Sequence, residues 1–177
     1  MRTLIFDTET TGLSKNSVIR LEKQPHITEF FGLTLNEDLE EVEVWQSLFK
    51  QGAKLSDLIV KITGITDKLL EDAPLFFSRA DELKKYIESH DCVVGHNLSF
   101  DIARIDQEMK RANRSVVWPK ERICTVEQTE SIFGYRLSLT ALHEYLFGVA
   151  FPDAHRAEPD VRALTKCFIE MKKRELV

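Results

Sequence analysis

The apolar residues of this chain change their period along its length, and that change restricts the fold more than any other feature. Thr3 to Phe6 is a short apolar run ending in an acid, as suits a buried strand that delivers its next residues to a sheet edge. His26 to Leu35 and Glu41 to Phe49 are rich in β-branched and aromatic residues, and Asn36-Glu37-Asp38 between them predicts a hairpin. From residue 54 the spacing turns helical: Leu55, Leu58, Ile59 and Ile62 share a stripe that Thr63-Gly64 closes. Pro74 opens a second helix carrying Phe77, Ala80, Leu83, Tyr86 and Ile87, and Cys92-Val93-Val94 then reads as a buried strand.

Ser99 is placed to cap a helix bearing Ile102, Ile105, Met109 and Ala112, with Arg104, Lys110 and Arg111 turned elsewhere. Arg122 to Thr125 makes a brief last strand, Ser138 caps a helix with Leu139, Leu142 and Leu146 that Gly148 stops, and Val161, Leu164, Phe168 and Met171 stripe the final helix. Strands first, then helices interleaved with strands, predict an α/β fold with a mixed five-stranded sheet flanked by helices. Its later part should be parallel, because strands separated by helices pair through crossovers. No linker rich in Pro, Gly or Ser divides the 177 residues, so residues 1–177 are read as a single domain.

Cys92, Cys124 and Cys167 are odd in number, widely spaced and set in apolar runs, which favours reduced core thiols and a cytosolic setting over a disulfide framework or zinc ribbon. The apolar stretch before Asp7 is too short for a signal sequence or a membrane span. A net charge of −5 argues against wrapping nucleic acid by bulk charge, while leaving room for a local groove beside an acidic centre.

The chemistry is concentrated in three short segments. In Phe6-Asp7-Thr8-Glu9-Thr10-Thr11-Gly12 the acids are two apart and project to one face of an extended chain. Two carboxylates so placed repel unless a divalent cation neutralises them, and oxygen-preferring Mg²⁺ or Mn²⁺ suits them best. A bare Asp-x-Glu is more often a pair of turn or cap residues, so the surrounding string has to carry the weight. In Gly95-His96-Asn97-Leu98-Ser99-Phe100-Asp101 the acid opens a helix, where the dipole alone would favour it. In His155-Arg156-Ala157-Glu158-Pro159-Asp160, Pro159 suits the first turn of the last helix and His155 precedes that helix on a loop.

Together these segments resemble, in order, the three motifs of the DEDD exonuclease family, typified by the proofreading epsilon subunit of bacterial DNA polymerase III. The resemblance runs from residue 3 to about residue 170. His155 stands five before Asp160, and the position four before it holds Arg156 rather than Tyr, which selects the histidine branch. The resemblance implies a ribonuclease H-like fold and 3′–5′ exonuclease activity releasing nucleoside 5′-monophosphates. Two divalent cations, Mg²⁺ or Mn²⁺, would be held by Asp7, Glu9, Asp101 and Asp160, with His155 as general base, a role suited to an imidazole near neutral pH.

The same resemblance places Thr10, Leu13 and Phe100 at the last sugar and base, His96 and Asn97 along the groove, and Ile65, within Thr63-Gly64-Ile65-Thr66, against the terminal base. Glu158-Pro159 departs from the small or apolar residues of many relatives. The implied partner is the 3′ end of nucleic acid, single-stranded DNA in the first instance. An exoribonuclease of the oligoribonuclease or ribonuclease T kind is the alternative, and a non-catalytic module of the same fold a further one. The chain ends soon after Asp160, which weakens the expectation of a tail-tethered polymerase partner. Arg104, Lys110 and Arg111 are candidates for tracking phosphates, although a solvated helix face is the favoured reading.

Overall fold

The computed structural model describes residues 1–12, 20–151 and 155–177. Strands β1 (Thr3–Thr10), β2 (Ile27–Leu35), β3 (Glu41–Leu48), β4 (Cys92–Gly95) and β5 (Glu121–Cys124) form one sheet in the order β3-β2-β1-β4-β5. The β1–β2 and β2–β3 pairs are antiparallel, whereas β1–β4 and β4–β5 are parallel, as the order of strands and helices predicts. The β2–β3 turn is held by the Asn36 carboxamide oxygen, which accepts the N–H groups of Asp38 and Glu40 at 3.0 and 2.9 Å.

Helices α3 (Phe76–Glu88) and α4 (Leu98–Arg111) cover one face of the sheet, and α7 (Ala157–Lys173) covers the other. With both faces covered, every residue of β2 is buried. Leu4, Phe6, Phe30 and Trp45 pack beneath α3 and α4, while Ile5, Phe31, Leu33 and Val94 pack under Val161, Leu164 and Phe168 of α7. Helix α6 (Leu139–Phe147), capped by Ser138 and ended by a left-handed Gly148, docks on α7 through Leu142 and Leu146. No helix of the described residues is long and apolar enough to cross a membrane.

Several elements depart from the sequence expectation, each for a local reason. Helix α1 (Asp57–Thr63) starts after its cap Ser56, so Leu55 lies outside it and is buried, while Leu58 and Ile62 face solvent. Helix α2 (Asp67–Leu70), capped by Thr66, and α5 (Thr125–Phe133) are short and carry little periodic signal. Phe76, not Phe77, enters the core at the start of α3, because that helix begins two residues beyond Pro74.

Asn97, in the left-handed region (φ 73°), holds the N-cap position of helix α4 without a side-chain capping bond, and Ser99 falls inside the first turn. Arg104 and Arg111 are not a solvated face. Arg104 is 4% exposed and its guanidinium lies over the Phe100 ring at 5.4 Å. Arg111 donates to the carbonyls of Leu21, Gln24 and Pro25 and to Glu108, so it staples the segment before β2 to α4.

Candidate active site

Strand β1 runs on past Phe6 to Thr10, and its burial alternates at the end: Thr8 and Thr10 are buried, whereas Asp7 and Glu9 are only partly covered. That alternation turns both acids toward one side of the sheet. A register shift between Glu9 and Thr10 marks a bulge where β1 leaves its partner β2, a device that re-aims side chains at the edge of a pairing. The first turn of α7 brings Asp160 over the same spot. One carboxylate oxygen from each of Asp7, Glu9 and Asp160 lies within 4.8 Å of the others.

Asp101 approaches from the first turn of α4 and is 2% exposed. It is held from behind by Thr8, whose backbone N–H and hydroxyl both donate to Asp101 Oδ1, at 3.1 and 2.6 Å. Thr8 is therefore a site residue that the motif comparison did not single out. The signal was present in strand alternation, since the residue between two acids on one face must point to the other.

The electrostatics are those of anions forced together. Asp7 has its carboxyl pushed far above the usual carboxylate range by burial, then by Asp101, Glu9 and Asp160, with the Thr8 backbone N–H opposing. Burial, Asp160, Glu29 and Asp101 raise Glu9 to about 8, and Arg156 opposes them. Asp101 rises to about 7 through burial despite its two bonds from Thr8. All the donors are hard oxygens, and their charged forms are disfavoured without a counterion, so the set fits Mg²⁺ or Mn²⁺.

Asp7 and Asp160 share a groove of about 420 Å³ with His96, His155, Ser138, Leu139, Thr140 and Phe151. His155 stands two residues before the start of α7, exposed and in a left-handed conformation (φ 36°). That conformation is uncommon for a residue with a side chain and accompanies functional loops more often than chance. His96 pairs its Nδ1 with the Thr125 hydroxyl at 2.9 Å, and burial lowers it to about 4, so it lines the groove as a neutral ring. His26, His90 and His143 have structural partners in Glu108, Thr34 and the Val149 carbonyl.

Of the other expected substrate contacts, Asn97 is exposed at the start of α4, and Phe100 is half-buried under Arg104. Thr10 is buried and donates its hydroxyl to the Gly12 carbonyl at 2.7 Å, which shapes the turn after β1. Ile65 is 0% exposed, packed with Leu55 and Leu70, so its side chain is core and offers no surface to a base. The expectation for Ile65 is corrected accordingly: Gly64 ends α1 in the left-handed region and the turn that follows buries Ile65. Leu13 lies outside the described residues.

A polar assembly that the motifs did not signal flanks the acids. Arg156 Nε and Nη2 donate to Glu29 Oε2 and Oε1 at 2.9 and 2.8 Å, and the Ala157 N–H donates to Oε2 at 3.2 Å.

A family model described as exonuclease, RNase_T, matches residues 4–168. Over 176 residues the chain is 28% identical to the DNA polymerase III subunit epsilon of Buchnera aphidicola subsp. Acyrthosiphon pisum (strain APS), covering 96% of this chain and 72% of that one. It is also 28% identical, over 173 residues, to the 3′-5′ exonuclease DinG of Staphylococcus aureus (strain MRSA252), where the match covers 93% of this chain but only 17% of that longer protein. Among solved structures, the nuclease domain of 3′hExo, a DEDDh family member, bound to rAMP, superposes with a TM-score of 0.74 at 17% identity, covering 98% of this chain and 92% of that one. The sheet order and flanking helices are those of this ribonuclease H-like group.

Proposed function

Because the chain belongs to the RNase_T exonuclease family and is an exonuclease domain of the 3′–5′ type, we propose that it removes nucleotides from the 3′ ends of DNA, single-stranded or frayed. The products are nucleoside 5′-monophosphates. The observation that carries this reading is the convergence of Asp7, Glu9 and Asp160 within 4.8 Å, backed by Asp101. The four carboxylates would hold two divalent cations, Mg²⁺ or Mn²⁺. When bound, these cations supply Lewis-acid activation of water and neutralise charge on the scissile phosphate and its leaving 3′ oxygen.

The protein's own part is to position and to move a proton. Thr8 fixes the Asp101 carboxylate through two hydrogen bonds to one oxygen, leaving the other directed away from that clamp. His155, exposed at the rim of the groove that Asp7 and Asp160 line, takes the proton of the attacking water on an imidazole nitrogen. His96, neutral and hydrogen-bonded to Thr125, shapes the groove without competing for that proton. Phe100, held by Arg104, presents an aromatic ring on which a base can stack with little regard to sequence.

DNA is the first reading because one similar protein is a DNA polymerase subunit. The second reading, an exoribonuclease, is favoured by the rAMP bound to the 3′hExo nuclease domain. Matched 3′-labelled DNA and RNA single strands, digested with Mg²⁺ or Mn²⁺, separate them. Asp7→Asn should lower the rate by at least about a hundredfold, since it removes a charge required in the transition state. Equal digestion by native and variant chains would refute the assignment. A docking role toward a polymerase or repair partner, and a reducing cytosolic setting in keeping with three free buried cysteines, complete the proposal.

A further inference from the structure

Glu29 and Arg156 are joined fork to fork, and each is attached to a different part of the carboxylate cluster. Glu29 lies on β2 directly opposite Glu9 in the β1–β2 register and is 8% exposed. Arg156 is the extended residue just before α7, and its carbonyl accepts the N–H of Asp160 at 3.1 Å. The Arg156 side chain does not cap its own helix. The Glu29 carboxylate, from another strand, accepts the first-turn N–H of Ala157 and sets a negative charge at the positive end of α7. A bidentate guanidinium–carboxylate pair fixes both distance and orientation, which a single hydrogen bond does not.

We infer that Glu29 and Arg156 form a positioning pair, locking the start of α7, with Asp160 in its first turn and His155 just before it, onto the strand beside Glu9. The inference rests on the reading of these acids as cation ligands. Neither residue touches the reacting atoms. The pair acts through the placement of Asp160 and His155.

Three other roles for Arg156 give different results. A mere counter-charge depends on charge and not on the fork, so Arg156→Lys would bind Mn²⁺ and turn over as the native chain does. A substrate-phosphate contact would appear in KM alone. A purely structural clamp would lower the melting temperature and leave metal affinity and kcat in the folded fraction unchanged. Positioning predicts weaker cation binding together with lower kcat.

The test is calorimetric titration of Mn²⁺, alongside kcat and KM on a 3′-labelled single strand, for the native chain, Arg156→Ala, Glu29→Gln and the double variant. Each single change should weaken Mn²⁺ binding and lower kcat by about ten- to a hundredfold. The double variant should lose no more than the worse single one, because both changes break one unit. Methylguanidinium at a non-denaturing concentration should restore Arg156→Ala, where Glu29 remains to bind it, and not the double variant. Arg156→Lys keeps the cation but not the fork, and it carries the same comparison should the alanine variant not fold.

Mn²⁺ binding in Arg156→Ala as tight as native or tighter overturns the inference, as does a rise in KM at unchanged kcat. A native chain that neither binds Mn²⁺ nor digests the strand would overturn the reading of the acids themselves, a result distinct from native binding with unaffected variants.

Discussion

Thr8 shows how much of a site can depend on a side chain that carries no charge. Its hydroxyl and N–H both reach Asp101 Oδ1, so Thr8→Val keeps the shape of a buried position and removes one donor. The Asp101 carboxyl, already raised to about 7, would move further up and become harder to ionise. We expect a loss of about tenfold or more in Mn²⁺ affinity and in kcat, with native circular dichroism, read by titration and by digestion of a labelled strand. That Asp7 and Glu9 share a face was legible in the strand alternation, and that Asp160 joins them was legible only through the resemblance of the three segments to the family motifs. Thr8, Glu29 and Arg156 were less so, because their roles depend on which side chain a distant segment brings within 3 Å. Ile65 shows the converse: a matching string places a residue in sequence, while the turn after α1 decides whether its side chain reaches the surface.

Strand β1 and helix α4 together set the distance between the two halves of the cluster, and the chain between β4 and α4 is tight. A Cβ at Gly95 would stand 2.9 Å from Leu98 Cδ1 and 3.1 Å from Leu98 Cα, so the helix can begin this close only because residue 95 has no side chain. Gly95→Ala should cost about 1–3 kcal/mol, read as a lower urea midpoint at unchanged slope. It should also reduce activity by displacing Asp101. The long elements α3, α4, α6 and α7 and the β2–β3 hairpin were legible because their apolar periods are sustained. α2 and α5 were not, being short and lacking a continuous stripe. Boundaries slipped where the helix start was misjudged: the left-handed Asn97, and not the expected Ser99, precedes α4. Arg104 and Arg111 were misread because charged side chains were assigned to solvent, whereas the turn at residues 21–25 and the Phe100 ring cover them.

On the scale of the whole molecule, stability and activity share the same helix. Leu164 of α7 is 1% exposed in the core beneath Asp160, and Leu164→Ala should lose about 2–5 kcal/mol of unfolding free energy, measured by denaturant titration. The carboxylate cluster works against the fold. The raised values of Asp7, Glu9 and Asp101 lie above those of the unfolded chain, near 4. The stability these groups contribute is therefore fully present below about pH 4 and is lost as pH rises through the folded values of about 7 for Asp101 and 8 for Glu9. A bound cation reverses that loss and binds only the ionised form, so saturating Mg²⁺ should raise the melting temperature more at about pH 8.5 than at about pH 6. An equal rise at both values would contradict it. The first acids lie on β1, Asp160 lies in the first turn of α7 and His155 just before that helix, so the set comes together only when α7 is docked on the sheet. A polypeptide emerging from the ribosome therefore lacks the full set of acids until α7 has been made and has docked. Under the proposed assignment, hydrolytic competence arises in one step, when α7 seats Asp160 beside Asp7 and Glu9, and not by degrees.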